Sequence, residues 1–333
     1  MRVGLMGMGR GGLLLAEALL RSNWCELAAV AHTTTRPLQQ FIDRHPGVAA
    51  FDDYRSLIVS TQLDALFVAV PPFQRGKYLA LAAERRLPVW MLTPPARSLE
   101  EAAEILERFE QADCPIVVSR AWGIEPALQP DALDLQPDNR VFLATGSSMT
   151  CLQEDLDWRG DSVRAGGGVL LDHGYALIDT IVQVMGMPGT VYTAAGRASR
   201  PATRFPYDTE DAATCVLQFP GGGIGAITCC WTTGPAAWHV DLHALSRSVH
   251  IDGQTVVVRD RSGQTETARY PRPAMLLLPQ VEEFLSALRS NARILSTLRH
   301  HLPTLAVMQT LYLSARTGQP ESPGRLAELH RVS

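Results

Sequence analysis

The feature that most constrains this chain is a run of glycines close to its start. A short apolar segment, Arg2–Met6, leads into Gly7-x-Gly9-x-x-Gly12, and the apolar stretch Leu13–Leu20 follows. This order predicts a strand, a tight turn and a helix. The first glycine permits the turn, the second lets a pyrophosphate approach the backbone, and the third lets the helix pack close to the strand. The amides at the start of the helix would bind the phosphates of a dinucleotide. The alternative is a plain βα turn that happens to contain glycines.

The first third of the chain alternates between strand-like and helix-like segments. The predicted strands are Arg2–Met6, Glu26–Ala31, Ala65–Val70, Val89–Leu92 and Pro115–Ser119, and the predicted helices are Gly11–Arg21, Pro37–Arg44, Arg75–Arg86 and Ser98–Ala112. Such alternation predicts a parallel, doubly wound sheet, in which ligands bind beyond the carboxyl ends of the strands. We therefore expect one cleft to be lined by the segments Gly7–Gly12, His32–Arg36, Val70–Phe73 and Thr93–Arg97.

The pattern changes from about Ala121 to longer strands separated by turns. The predicted strands are Val141–Thr150, Val191–Gly196, Ala212–Phe219, Gly223–Thr232, Val240–Leu245 and Ser248–Asp252, and the predicted helices are Leu170–Met185, Val281–Arg289 and Thr304–Thr317, with a loop at Tyr270–Pro279. At 333 residues the chain is long enough for two domains. The expected fold class is α/β, with a Rossmann doubly wound parallel sheet in residues 1–121. Residues 122–333 are expected to form an α/β domain with an open, mainly antiparallel sheet.

Composition narrows the classes of partner. The formal net charge of −4 at pH 7 is unfavourable for binding nucleic acid. No apolar run reaches the roughly 18 residues of a membrane span, and the first strand begins where a leader peptide would lie. The six cysteines lack CxxC spacing. The pair His300-His301 has no other potential metal ligands near it in the sequence. We therefore expect a cytoplasmic protein with free thiols, no membrane partner and no bound metal.

Three further motifs follow the glycine turn. They are Ala165-Gly-Gly-Gly-Val-Leu-Leu-Asp-His-Gly174, then Thr209-Glu-Asp211 with Leu217–Gly222, and finally Glu283-Phe-Leu with Ser314–Gly318. Together with the turn, they resemble the Gfo/Idh/MocA family of nicotinamide-dependent oxidoreductases over almost the whole chain. The resemblance implies hydride transfer between NAD(P) and a hydroxyl or ketone of a sugar, cyclitol or related small molecule. It also implies a homo-oligomer that associates through the open sheet.

Two positions depart from the pattern of that family. The family usually carries Glu-Lys-Pro where this chain has Thr93-Pro-Pro95. Its active-site helix usually reads Asp-x-Gly-x-His-x-x-Asp, and this chain keeps Asp172 and Asp179 but has Ala176 in place of the histidine. Proline and alanine side chains cannot transfer a proton. Three functions are therefore considered. The first is an oxidoreductase with altered proton transfer, and the second is a non-redox relative that binds a dinucleotide. The third is a scaffold that binds a partner.

Asp172 and His173 are the candidate catalytic residues at this altered site. On a regular helix Asp172, Ala176 and Asp179 share one face, and His173 lies about 100° from Asp172. The alternatives are a helix N-cap for Asp172 and a packing role for His173. A guanidinium at Arg159 or Arg164 would bind an anionic group. The candidate substrate contacts are Arg159, Tyr175 and Asp179.

The residues after the second strand bear on the choice of cofactor. NAD-specific Rossmann proteins place an acidic residue there, which binds the ribose hydroxyls. This chain has His32-Thr-Thr-Thr-Arg36, in which hydroxyls and a guanidinium can hold a 2′-phosphate. NADP is therefore favoured over NAD, and the alternative is that Arg36 simply begins the next helix. The predicted cofactor-binding residues are Gly7, Met8, Gly9, Gly12, His32, Thr33, Arg36, Pro71 and Thr93.

Overall fold

The computed structural model describes residues 1–120, 139–151, 156–197, 207–252, 255–269 and 274–329, and the chain divides into two compact units. The first unit comprises Met1–Ala96, Glu100–Arg120 and the described part of Arg272–His301; the second comprises Arg97–Leu99 and the described parts of Ala121–Pro271 and Leu302–Ser333. The first unit thus includes a segment from the C-terminal part of the chain. The expected boundary at residue 121 would place that segment in the second domain. Residue 121 itself lies outside the described residues, so that boundary stays a prediction.

The first unit is built on a six-stranded parallel sheet. Its strands are β1 (Arg2–Met6), β2 (Glu26–Ala31), β3 (Ala49–Phe51), β4 (Ala65–Val68), β5 (Val89–Met91) and β6 (Ile116–Val118), and its helices include α1 (Arg10–Arg21), α2 (Thr35–Ile42), α3 (Tyr54–Ser60), α4 (Pro72–Glu84) and α5 (Leu99–Gln111). The strand order is β3-β2-β1-β4-β5-β6. It reverses between β1 and β4, the point at which ligands bind in doubly wound sheets. The predicted parallel Rossmann sheet is confirmed, and β3 and α3 are additions to the predicted elements.

Helix α8 (Ala274–Ser290) packs against α1 in the first unit. The predicted loop at Tyr270–Pro279 is therefore wrong from residue 274 onward. Pro279 removes one helical hydrogen bond, but it lies near the start of the helix. Leu276, Leu277 and Val281 are buried at 5%, 1% and 0% exposure, and their burial outweighs that lost bond.

The second unit contains an eight-stranded, mainly antiparallel sheet, as predicted. Its strands are β7 (Leu143–Cys151), β8 (Thr190–Gly196), β9 (Ala212–Gln218), β10 (Ile224–Cys230), β11 (Thr232–His243), β12 (Arg247–Ile251), β13 (Thr255–Asp260) and β14 (Thr265–Arg269). The order is β14-β13-β12-β11-β7-β10-β9-β8, in which β7 and β10 are parallel. Strand β13 and the edge strand β14 have no counterpart among the predicted strands.

The helices of the second unit position its polar residues. A 3-10 turn (Asp157–Gly160) and α6 (Ser162–Ala165) precede a π-helical turn (Leu170–Gly174), which continues directly into α7 (Tyr175–Met185); α9 (Leu298–Thr317) and α10 (Gly324–Leu329) follow the sheet. The predicted helix at Leu170–Met185 therefore opens with a wider turn than an α-helix has. Helix α7 packs against β7 and β10, while the apolar side chains of Tyr192, Val216 and Ile224 are exposed on the sheet.

Among the helices of the described ranges, none combines the length and the apolar character needed to cross a membrane. Within the same ranges, no group of three His, Cys, Asp or Glu side chains is arranged to hold a metal ion.

Candidate functional site

The glycine turn of the first unit has the geometry that its sequence predicts. Gly7 has φ +95°, a left-handed conformation that other residues rarely adopt. A Cβ on Gly12 would lie 2.0 Å from the Gly7 carbonyl oxygen, so only glycine permits this close approach. A Cβ on Gly9 would meet no atom within 4 Å. Gly9 is also the N-cap of α1, and no side chain caps that helix. Open space therefore lies beside an uncapped helix start, which fits a pyrophosphate.

The ends of the parallel strands bring the other predicted cofactor residues to the same edge of the sheet. His32 follows β2, and its Nδ1 lies 3.4 Å from the buried Tyr54 hydroxyl. Burial lowers the pKa of His32, which is therefore neutral at pH 7. Thr33 and Arg36 are exposed, whereas Met8 is buried. The remaining two members of this set are Pro71, which is the N-cap of α4, and Thr93, which lies two residues beyond the end of β5.

Arg75 is a buried residue at this edge that the sequence did not single out. Its Nε donates to the Val70 carbonyl at 2.7 Å, and its Nη1 donates to the Pro94 carbonyl at 2.6 Å. Burial lowers the pKa of Arg75 to about 9, partly opposed by Glu101, so the guanidinium stays charged at pH 7. Arg75 therefore connects the segment that follows β4 with the segment that follows β5. It also holds a positive charge next to Pro94, where the resemblance leads one to expect a lysine.

In the second unit, the structure brings together two predicted residues that lie 13 positions apart. Arg159 Nε donates to Asp172 Oδ2 at 2.8 Å. The guanidinium also lies over the Trp158 ring, 4.6 Å from its centroid. Side-chain exposure is 39% for Arg159 and 17% for Asp172, so this ion pair is accessible from solvent. Both groups are therefore placed to contact a polar ligand.

His173 approaches the same Asp172 carboxylate oxygen as Arg159 does. Its Nε2 is 3.6 Å from Asp172 Oδ2, and its Nδ1 is 3.2 Å from Ser148 Oγ on β7. The imidazole meets the Trp231 ring edge to face, with centroids 6.3 Å apart. A side-chain exposure of 29% leaves the imidazole accessible. The two predicted catalytic residues are thus adjacent, and their roles stay predictions.

Protein side chains bind the backbone amides around the start of the π-helical turn. Glu210 accepts from the Gly168 and Leu170 amides at 2.9 and 3.1 Å, and the Tyr312 hydroxyl donates to Glu210 at 2.8 Å. The same hydroxyl accepts from the Leu171 amide. Burial raises the pKa of the Glu210 carboxyl, and these hydrogen bonds partly oppose that rise. Sequence reasoning missed Glu210 and Tyr312, although Glu210 lies within the motif Thr209-Glu-Asp211.

Tyr175 and Asp179 do not lie where a substrate can touch them. Tyr175 is 0% exposed and Asp179 is 2% exposed. The Asp179 carboxylate accepts from Thr304 Oγ1 at 2.7 Å and from Gln183 Nε2 at 3.0 Å, so its bonds hold α7 in the unit. The π-helical turn contains more residues than an α-helical turn and rotates the positions after it. Asp172 and Asp179 therefore do not share a ligand-facing side, and the structure does not support the two predicted substrate contacts.

Comparison with family models gave two matches that together cover most of the chain. A model described as an oxidoreductase family with an NAD-binding Rossmann fold matches residues 1–120. A model described as the GFO/IDH/MocA C-terminal domain matches residues 140–256.

Individual relatives are distant in sequence and close in structure. The rhizopine catabolism protein MocA of Rhizobium meliloti is 25% identical over 245 residues, which cover 69% of this chain and 74% of that protein. Myo-inositol 2-dehydrogenase of Thermotoga maritima is 22% identical over 229 residues, which cover 68% and 67%. The structure of an oxidoreductase from Agrobacterium radiobacter in complex with NAD+, L-tartaric acid and magnesium matches with a TM-score of 0.82 at 17% identity, covering 98% and 99%. Levoglucosan dehydrogenase with NADH and levoglucosan has a TM-score of 0.81 at 16% identity, covering 97% and 98%. These structures establish the shared fold.

Proposed function

Because this chain belongs to the Gfo/Idh/MocA family of oxidoreductases, we propose that it transfers a hydride between NAD(P) and a small polar metabolite. The observation that carries the proposal is the uncapped start of α1 beside the open space at Gly9. Gly7, Gly9 and Gly12 would hold the pyrophosphate through backbone groups. When bound, the nicotinamide supplies or accepts the hydride.

The proposed substrate is a sugar, a cyclitol or a related carbonyl or imine compound. Relatives include a myo-inositol dehydrogenase and a levoglucosan dehydrogenase. Arg159 and Asp172 present a guanidinium and a carboxylate that can bind hydroxyl groups of such a compound. Among the described residues, Arg159 and His173 both approach Oδ2 of Asp172, and the other carboxylate oxygen is the proposed ligand contact.

Proton transfer is assigned to Asp172 together with His173. The residues that the family usually employs correspond here to Pro94 and Ala176. An imidazole has a pKa near neutrality and lies beside the carboxylate, so it suits this exchange. Reduction of a conjugated carbonyl or an imine needs less acid assistance and fits this site better than alcohol oxidation.

NADP is the proposed preferred cofactor. Exposed Thr33 and Arg36 follow β2, where an NAD-specific protein would place a carboxylate. A guanidinium binds a 2′-phosphate through charge-assisted hydrogen bonds. Titration of nicotinamide fluorescence with each reduced cofactor tests the preference, and tighter binding of NADH would contradict it.

A homo-oligomer through the open sheet is also proposed. Tyr192 pairs with Val216 across β8 and β9, which places both exposed apolar side chains on one face of the sheet. Exposed apolar patches of this kind commonly mark interfaces. Light scattering in solution should give a multiple of the 36.4 kDa chain mass, and the mass of one chain would contradict the assignment.

Catalysis is tested with the purified protein and a panel of ketones, enones, imines, sugars and cyclitols. We expect micromolar binding of a reduced or oxidised cofactor and a change of absorbance at the nicotinamide band with at least one compound class. Absence of cofactor binding would overturn the proposal.

Pro94 and Ala176 favour a second candidate, a family member that binds the dinucleotide without redox turnover. Tight cofactor binding with no turnover on any compound of the panel would select this candidate. Turnover that depends on Asp172 would select the oxidoreductase.

A further inference from the structure

Ser148 is a buried hydroxyl that contacts the candidate acid–base pair. It lies on β7, is 4% exposed, and places its Oγ 3.2 Å from His173 Nδ1. A buried hydroxyl requires a hydrogen-bond partner, and a hydroxyl can both donate and accept. Ser148 can therefore remain bonded to Nδ1 whether the imidazole is neutral or charged.

Trp231 restricts the same imidazole from a second side. Its indole is fully buried and meets the His173 ring at 85°. The Trp231 Nε1 has no hydrogen-bond partner in the described part of the chain. The edge-to-face contact therefore limits the orientations that the His173 ring can adopt.

With Nδ1 held by the strand, the other ring nitrogen faces Asp172. The distance from Nε2 to Asp172 Oδ2 is 3.6 Å, and Arg159 holds the same carboxylate oxygen at 2.8 Å. Arg159 and Asp172 supply charges around the imidazole, whereas Ser148 and Trp231 supply neutral groups. The wide π-helical turn lets adjacent residues 172 and 173 converge in this way.

We propose that Ser148 is a positioning residue that holds His173 so that His173 and Asp172 act as one acid–base pair. This proposal rests on the oxidoreductase function proposed above. In the reducing direction, the pair gives one proton to the substrate oxygen or nitrogen as the hydride reaches its carbon, and it regains a proton from water. In the oxidising direction, the pair takes that proton from the substrate and releases it to water.

The first test measures the coupling of residues 172 and 173 without any cofactor or substrate. Proton NMR of the full chain follows the titration of His173, which is assigned with H173N. We expect D172N to lower the pH midpoint of His173 by about one unit, because a neighbouring carboxylate favours the imidazolium. In an S148A background that shift should shrink to less than half. The same shift in both backgrounds would overturn the proposal.

Ser147 offers a matched control on the same strand. The burial of β7 alternates, with Ser148 inside and Ser147 on the partly exposed side. S147A should therefore leave the D172N shift unchanged. If S148A does not fold, S148C removes the strong hydrogen bond at nearly constant volume and gives the same readout.

The second test is kinetic and uses the substrate found with the compound panel. We expect S148A to lower kcat about tenfold while KM changes less than twofold, because the hydroxyl orients the imidazole and does not touch the substrate. S148T keeps a hydroxyl and should restore most of kcat. An S148A kcat equal to wild type, or an S148T no better than S148A, would contradict the positioning role. The NMR coupling is independent of turnover, so failure of the oxidoreductase function would be recognised separately.

Discussion

The chain contains two glycine-rich turns that lead into helices, and the two differ in what occupies their amides. The turn at Gly7–Gly12 leads into α1, whose first amides have no side-chain cap. The turn at Gly166–Gly168 leads into the π-helical segment, where side chains of Glu210 and Tyr312 already bind the amides. At the first turn, backbone amides can therefore bind a ligand. At the second turn, side chains already occupy these amides, so a ligand there would be bound by side chains.

This difference predicts that the two sites respond differently to substitution. A site made of backbone groups keeps its binding capacity as long as its glycines are present, because no side chain contacts the ligand. A site made of side chains changes its chemistry with a single substitution. The chain has kept Gly7, Gly9 and Gly12, while Pro94 and Ala176 stand where the family usually has proton-handling groups.

The largest expected effect is on the side-chain site. D172N removes the carboxylate between Arg159 and His173, and we expect kcat to fall about 100-fold, the usual contribution of a positioned acid or base. Steady-state kinetics on the substrate found with the panel measures this effect. D157N is a matched control, because Asp157 is 71% exposed and 3.7 Å from Arg164. Equal kcat values for D172N and wild type would remove Asp172 from the reaction.

The next effect tests the backbone site with two glycines of one turn. A Cβ at Gly9 meets open space, so G9A should fold normally but weaken cofactor binding at least tenfold by filling the space for the pyrophosphate. A Cβ at Gly12 lies 2.0 Å from the Gly7 carbonyl oxygen, so G12A should lower the free energy of unfolding by about 3 kcal/mol. Cofactor titration and thermal unfolding of both variants separate binding from folding. A G9A protein that binds cofactor like wild type would contradict the assignment of this turn.

The same contrast limits what can be predicted from the sequence. The alternation of strands and helices predicts the parallel sheet, and the glycine spacing predicts the turn geometry, because both depend on local backbone preferences. The π-helical turn is not predictable in this way, since its apolar pattern is also typical of an α-helix. A regular α-helix would place Asp179 on the same face as Asp172, whereas the structure buries Asp179 and also buries Tyr175, another predicted substrate contact.

Long-range contacts account for the other residues that the sequence did not indicate. Ser148 precedes its partner His173 by 25 positions, and Glu210 follows Gly168 by 42. Arg75 binds the Pro94 carbonyl from 19 positions away. Strand pairing and helix packing create these contacts, and no spacing rule within one element reports them. The sequence around Arg75 gives no sign of its burial, because polar Gln74 and Lys77 lie beside it in the chain.

A smaller effect concerns which cofactor the first unit prefers. Arg36 is exposed in the first turn of α2, after the end of β2. R36Q should weaken binding of NADPH about tenfold through loss of a charge-assisted hydrogen bond, and it should leave NADH binding nearly unchanged. R44Q is the control, since Arg44 is an exposed arginine just beyond the same helix. If R36Q weakens the binding of both cofactors equally, or of neither, Arg36 does not bind the 2′-phosphate.

The smallest effect tests the carboxylate that occupies the amides of the second turn. Burial raises the pKa of Glu210, so between its ordinary value and its raised value the folded chain holds a proton that the unfolded chain has released. The free energy of unfolding therefore falls as pH rises from the ordinary pKa to the raised pKa of Glu210. Below the ordinary pKa, Glu210 is protonated in both states and its ionisation does not affect stability. E210Q cannot ionise and keeps an acceptor for the amides, so its Tm should exceed that of wild type by about 2 °C at pH 8 and equal it at pH 4.

Asp208 provides the control of opposite sign for this measurement. Hydrogen bonds from Ser162 lower the pKa of Asp208, so its stabilising contribution is present above its ordinary pKa and is lost as pH falls through the lowered value. D208N should therefore have a lower Tm than wild type at pH 8, and the difference should vanish in acid. If E210Q instead loses stability at pH 8, Glu210 binds the turn as a carboxylate whose charge the fold requires. The second turn would then depend on an ionised side chain, in sharper contrast to the first turn, where no side chain caps the start of α1.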